Sequence, residues 1–189
     1  MYAQLSHYIR QRIEVTEEQM ELILSYYHPL KMAKNEFLIK EGETSQRIYF
    51  VGNGCLRIFF INEAGDEATR HIAFENTIAT ALVSFIGGTP SVEFVQVLQP
   101  SDFLFISRQD FYHLLTIIPA WEKFYRAYLE YAYTLNTNRL MSFITMDAAS
   151  RYRLLLEQNP AIVQRLPNKI VASYLNMSQE TLSRLKSKI

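Results

Sequence analysis

The chain has 189 residues, 49% of them apolar, and no formal net charge. That is enough to bury a sizeable core in one large or two small domains. Its single cysteine, Cys55, excludes a disulfide framework and any zinc or iron–sulfur site needing several thiolates. The neutrality conceals an asymmetry. Up to Met146 there are 12 Lys/Arg against 16 Asp/Glu, and from Asp147 onward 7 against 3. A small basic terminal piece on an acidic body has the charge layout of a nucleic-acid-binding appendage. The longest uncharged run, Asn76 to Val92, is short for a membrane span and broken by Gly87, Gly88 and Pro90. No basic-then-apolar leader opens the sequence, so a soluble cytoplasmic protein is expected.

Leu5 to Tyr27 carries helical spacing through Ile9, Ile13, Met20, Ile23 and Leu24, with Thr16 as an N-cap and Pro29 just past the end. From Lys31 to Ile106 the texture changes to short β-rich runs such as "RIYFVGNGCLRIFFI" and "VEFVQVLQ". Turn signals separate them at Glu41-Gly42, Gly52-Asn53-Gly54 and Ala64-Gly65-Asp66. Many short strands at close spacing predict an antiparallel barrel or sandwich. Asn76 to Gly88 reads as a short helix and loop between two of them.

Arg108 to Ile118 predicts one short helix, and Pro119 then suits the first turn of another. That second helix can run to about Met146. Trp121, Tyr125, Tyr128, Ala132 and Leu135 recur at spacings of three and four, a coiled-coil-like seam expected to pack against a second copy. Ser150 to Gln158 follows as a helix, with Pro160 and Pro167 as breaks. Then "NKIVASYL", the turn "NMS" and "QETLSRLKSKI" form helix, three-residue corner and second helix. The second helix is amphipathic, with Leu182 and Leu185 inward and Gln179, Glu180, Ser183 and Arg184 outward. This is a helix-turn-helix pattern.

With these elements in place, the chain resembles the Crp/Fnr family of transcription regulators over nearly its whole length. "FLIKEGETSQRIYFVGNGCLRIFF" is similar to that family's opening β-roll, with Gly42 and Gly54 at its turn glycines, and "SQETLSR" resembles the start of its recognition helix. The resemblance implies an α+β fold. It comprises an N-terminal antiparallel β-roll of the cyclic-nucleotide-binding type (a double-stranded β-helix), a long dimerisation helix and a small C-terminal helix-turn-helix domain. The expected divisions are 1–118, 119–146 and 147–189.

The expected partners are a pseudo-palindromic double-stranded DNA operator, a second copy of the chain and RNA polymerase, with no membrane. Gln179, Glu180 and Arg184 match the positions that reach base edges in family members. Gln179 stands where the family often has Arg, which implies an altered operator preference. Arg184 can present a fork to guanine, Gln179 can pair with adenine and Glu180 can accept from cytosine, while Ser183 lies on the same face. Lys169, Lys186 and Lys188 are expected to serve phosphates. The sequence ends directly after this helix, so a β-hairpin wing is not expected.

The effector is open, no cofactor is identified, and cyclic AMP is not expected to bind. Cyclic-nucleotide-binding relatives carry a Gly-Glu pair and a downstream Arg in a stretch corresponding to "FENTIATALVSFIGGTPSVEF", and both are missing here. No Lys or Arg occurs between Arg70 and Arg108. A phosphate inside an apolar roll without a cation bears a large desolvation cost. Thr80, Ser84 and Ser91 are the expected polar contacts for a neutral or weakly polar ligand, with Arg70 as the substitute cation; a vestigial, empty pocket is the other reading. Two rival functions differ in class. A cupin-like enzyme would need converging histidines, but His7, His28, His71 and His113 are scattered, and a ligand-binding module without DNA binding would not need the helix-turn-helix.

Overall fold

The computed structural model describes residues 1–187 and resolves into two compact units. One comprises Met1–Ile58 with Ala73–Glu130, the other Phe59–Ile72 with Tyr131–Ile189. The division runs through the middle of the long helix, not at its ends, and assigns the distal part of a β-hairpin to the C-terminal unit.

The first unit opens with α1 (Tyr2–Arg10) and α2 (Glu17–Ser25), the second starting after the Thr16 cap that the sequence marks. Ile13, Val15 and Thr16 crowd the break with β-branched side chains. Thr16 then restarts the helix with a reciprocal cap: its hydroxyl accepts from Gln19 N at 3.2 Å, and Gln19 accepts from Thr16 N at 3.0 Å. The strands are β1 (His28–Met32), β2 (Phe37–Ile39), β3 (Arg47–Asn53), β4 (Cys55–Ile61), β5 (Glu67–Phe74), β6 (Ile78–Ala79), β7 (Phe94–Val97) and β8 (Ser101–Ser107). They form two sheets, ordered β1-β8-β3-β6 and β2-β7-β4-β5. β1 begins before the expected β-rich region and contains Pro29. It is an edge strand, where the missing N–H is tolerated.

The roll's architecture is written in strand parity. On β3, Tyr49 and Val51 join Leu56, Ile58, Val95, Val97 and Phe103 in one core. Ile48 and Phe50, on the opposite face, join Leu104 and Ile106 in a second core with α1 and α2. The strand is buried on both sides, so it reads as a continuous apolar run without alternation. The helical core is completed by α3 (Leu82–Gly87), α4 (Arg108–Ile117) and the start of α5 (Pro119–Thr145) through Phe85, Phe111, Trp121, Phe124 and Tyr128. Arg108 closes the end of α3 by donating to the Phe85 and Ile86 carbonyls at 2.6 and 3.1 Å.

The second unit holds the hairpin segment, the rest of α5, α6 (Ala148–Gln158), α7 (Pro160–Arg165), α8 (Asn168–Leu175) and α9 (Gln179–Lys186). Pro160 begins a helix instead of merely breaking one, as its fixed φ allows at a first turn. Its buried apolar residues include Tyr152, Leu155, Ile162, Leu166, Ile170, Val171, Leu175 and Leu182. The hairpin is fastened to α8 through Ser173. Thr69 N donates to Ser173 Oγ at 2.9 Å, the Thr69 and Ser173 hydroxyls lie 2.8 Å apart, and Ser173 donates to the Glu67 carbonyl at 2.8 Å.

His71, on this hairpin, keeps a partly accessible edge. Burial first, then the Arg70 and Arg139 charges, push its pKa down from 6.5 to about 3. The folded state therefore holds it neutral down to about pH 3, while the unfolded chain takes up the proton near pH 6.5. Its contribution to stability is complete above pH 6.5 and is lost as the pH falls below. Urea denaturation should show this residue costing at most about 2 kcal/mol between pH 7 and pH 5, a dependence the His71→Gln variant lacks. Identical pH profiles for the two proteins would contradict the assignment.

Candidate nucleic-acid interface and the interior of the roll

Helix α8 ends because Asn176 turns left-handed, at φ 49° and ψ 58°. Met177 N then donates to the Ala172 carbonyl and Asn176 N to the Ser173 carbonyl, so two otherwise orphaned carbonyls are satisfied. Asn is among the few side chains that adopt this conformation readily. Ser178 starts α9 by accepting from Thr181 N at 3.1 Å. The corner is thus set by three consecutive residues, and Leu182, fully buried, anchors the second helix.

The outward face of α9 carries the expected residues. Gln179, Glu180, Ser183 and Arg184 are all exposed. Arg184 makes only a weak 3.4 Å contact with Thr181, one turn back on its own helix. Lys186 is half-buried and donates to Asn168 Oδ1 at 2.6 Å. Lys169 is exposed and lies 3.5 Å from Glu67 of the hairpin, a surface pair worth ~1 kcal/mol at most. Lys188 lies outside the described residues. The face therefore offers one amide and one carboxylate on the first turn and one guanidinium on the next of a capped helix, with ammonium groups at its margin. Such a helix can sit in a major groove and bond to base edges.

The expected effector contacts fare differently. Thr80, Ser84 and Ser91 are buried, but each hydroxyl is spent within the protein. Thr80 donates to the Arg47 carbonyl at 2.8 Å and shares a bond with Ser45. Ser84 donates to the Thr89 carbonyl and accepts from Ser45 N, while Ser91 bonds both the carbonyl and the N–H of Glu93. They hold the α3 loop together. In this structure all three hydroxyls are engaged within the protein. Arg70, on the hairpin, donates to Asn136 at 3.1 Å within the second unit.

One buried cation escaped the sequence reading. Arg57 is 3% exposed on β4, and its Nε and Nη2 donate to Gln96 Oε1 at 2.9 and 2.7 Å. Parity places it on the opposite face from Leu56 and Ile58, which belong to the inter-sheet core. It stands outside the roll's interior, in a cross-strand pair. A charged residue inside the apolar run "CLRIFFI" was the signal available.

The seam on α5 also needs correction. Trp121 and Tyr128 are buried in the first unit's own core, with Trp121 stacked on Phe124 at 4.4 Å and Tyr125 packed beside them. Ala132 and Leu135 continue that stripe and are half-buried. The periodicity is real, and its face is turned inward. A different stripe is open: Tyr133, Leu140 and Ile144 are 73%, 58% and 69% exposed and fall within a narrow arc of the helix.

Among the described residues no cluster of His, Cys, Asp or Glu could hold a metal ion, and no helix is long and apolar enough to cross a membrane. Residues 29–117 match the family model for the cyclic nucleotide-binding domain. Three solved structures share the fold across almost the whole chain. The c-di-GMP-responsive global regulator CLP of Xanthomonas campestris is 15% identical, with a TM-score of 0.73 over 92% of this chain and 91% of that one. FixK2 of Bradyrhizobium japonicum is 15% identical, at 0.75 over 86% and 83%. A transcriptional regulator of the Crp/Fnr family from Eubacterium rectale is 13% identical, at 0.71 over 90% and 82%. No curated protein matches in sequence.

Proposed function

We propose that this chain, which has the fold of the Crp/Fnr regulators and a cyclic nucleotide-binding domain at residues 29–117, is a homodimeric, sequence-specific DNA-binding transcription regulator. The observation that carries this reading is the exposed row Gln179, Glu180, Ser183 and Arg184 on a helix fixed by the Asn176 and Ser178 caps. Arg184 and Gln179 read bases, and Lys169 and Lys186 hold phosphates beside them. The apolar stripe Tyr133, Leu140 and Ile144 pairs with its symmetry mate. Two-fold pairing suits a pseudo-palindromic operator with half-sites about one helical turn apart. The role is regulatory, not enzymatic, with RNA polymerase the expected downstream partner.

The roll takes a neutral or weakly polar effector or none, and not a cyclic nucleotide. Its inter-sheet core is apolar, its expected hydroxyls are occupied, and Arg57 faces away from it. A cyclic phosphate there would lose its hydration without gaining a counter-charge.

Three measurements test these statements. In a fluorescence-anisotropy titration on a selected operator, Arg184→Ala should cost ~1–3 kcal/mol and relax the choice at one base pair, whereas Lys186→Ala weakens all sequences alike. Unchanged affinity and preference for Arg184→Ala would refute the recognition role.

Sedimentation equilibrium should give twice 22.1 kDa. Leu140→Glu, at an exposed position the monomer tolerates, should shift the protein towards monomer. A wild-type monomer at micromolar concentration excludes the dimer.

Isothermal titration with cyclic AMP and cyclic GMP should give no heat of binding up to about a millimolar, the range in which only weak association near −4 kcal/mol would register. Saturable micromolar binding of either reverses the reading of the roll.

A further inference from the structure

The second unit contains a cavity of about 390 Å³ that the DNA-binding reading does not use. It lies among the C-terminal half of α5, α6 and the end of α8, and no carboxylate lines it among the described residues. Two arginines do. Both guanidiniums lie over the same ring, Arg139 at 4.8 Å and Arg151 at 5.3 Å from the Phe143 centroid. Their charges are therefore no more than about 10 Å apart, roughly one screening length.

Among the described residues neither arginine lies in an ion pair; the Arg151 charge reaches Asp147 only as a minor contribution to that carboxyl's lowered pKa, behind the Ser150 hydrogen bonds. Arg139 donates to the Thr69 and Tyr174 carbonyls. Arg151 donates from Nε to the Leu175 carbonyl at 3.3 Å and from Nη1 to the Met146 carbonyl at 2.8 Å, which leaves Nη2 uncommitted among the described residues. Carbonyls satisfy donors but do not balance charge. Burial first, then the like charges of Arg70 and Arg151, lower the Arg139 pKa against a raising contact with Tyr174. The nearby carboxylates have other duties: Asp147 caps α6 through Ser150 N at 2.8 Å, and Glu67 pairs with Lys169. The rest of the lining combines an apolar side, with Leu154, Leu155 and Leu175, and neutral polar side chains such as Asn138, Ser142 and Gln158.

We propose that this cavity binds an amphipathic monoanion, a carboxylate on an apolar body, whose head meets Arg151 Nη2 beside Arg139 and whose body lies against Leu154, Leu155 and Leu175. Planar, two-oxygen recognition is what a guanidinium fork provides. A doubly charged, strongly hydrated phosphate would be poorly served by a partly apolar lining. The size fits a small ligand, since such sites start at about 300 Å³. A dimer built on the open stripe leaves the cavity free. At 100° per residue, Tyr133, Leu140 and Ile144 lie on the opposite side of α5 from Leu135, Arg139, Ser142 and Met146, which face the cavity. The site therefore stands whether or not the protein reads DNA.

The test is isothermal titration of the full-length protein with decanoate, decanol and inorganic phosphate, paired with carboxyl-labelled decanoate followed by carbon NMR. Decanoate should bind saturably at one per chain and raise the melting temperature. Decanol should bind about tenfold more weakly or worse, as should decanoate to a folded Arg151→Gln variant, and phosphate should not bind. The bound carboxyl carbon should titrate at lower pH than the free acid, a readout that needs no variant and survives if Arg151→Gln fails to fold. No saturable decanoate binding, equal binding of decanol, equal binding of phosphate, or a carboxyl titration unshifted from the free acid would each overturn the proposal.

Discussion

The fold depends on what a 27-residue helix requires of its surroundings. α5 is about 40 Å long at 1.5 Å per residue, more than one small core can cover. Its first half is held by the aromatic packing of Trp121 and Phe124 in the helical core of the first unit. Its second half belongs to another unit, where Arg139 and Phe143 face α6 and α8. One inward stripe, at spacings of three and four, serves both. The stripe on the other side, ending in Leu140 and Ile144, has no use within the chain. Exposed apolar side chains in register along one helix are costly in water, and a second copy relieves that cost at every position together.

The same logic of desolvation separates the two buried-cation environments. Arg57 is buried, yet it lies on the outer face of its sheet, paired with Gln96 and turned from the apolar core. Arg57 is thereby kept off the apolar inter-sheet core, and the Thr80 and Ser84 hydroxyls pin the α3 loop. In the second unit the balance is reversed. Arg139 and Arg151 stand at a cavity with no acid in its lining among the described residues. The cavity of the second unit, lined by two arginines, thus differs from the apolar inter-sheet core of the roll.

The local signals in the sequence were read most faithfully. The helix Asn168–Leu175 has the predicted bounds, and Ser178 and Thr16 cap as their chemistry implies, because a cap is decided within four residues. The roll was legible as a class, from turn glycines such as Gly42 and Gly54, both with positive φ. Direction across the fold was not. The spacing of Trp121, Tyr125 and Tyr128 shows that one face is apolar, but not whether that face meets the chain's own core or a partner. Thr80, Ser84 and Ser91 posed the same problem in polar form, since a hydroxyl in a loop advertises bonding capacity without naming the acceptor. Arg57 hid for a related reason. In a strand buried on both faces, alternation no longer reports which side is which.

The hairpin's part in the second unit was invisible for a further reason: it depends on pairs 104 and 106 residues apart in sequence. Ser173 sits mid-helix, where a hydroxyl is indifferent for helix propensity. In the structure it accepts from the Thr69 backbone and donates to the Glu67 carbonyl, tying the start of β5 to the middle of α8. Lys169, one turn earlier on the same helix, meets Glu67 through its side chain. A phosphate contact by Lys169 therefore competes with that pair. The competition is mild, since an exposed ion pair of this length contributes ~1 kcal/mol or less, and a DNA backbone with its dense charge can outbid a single carboxylate. The Ser173 bonds carry no charge and are not open to that exchange. The Ser173 bonds would therefore hold the hairpin to α8 even where Lys169 leaves Glu67.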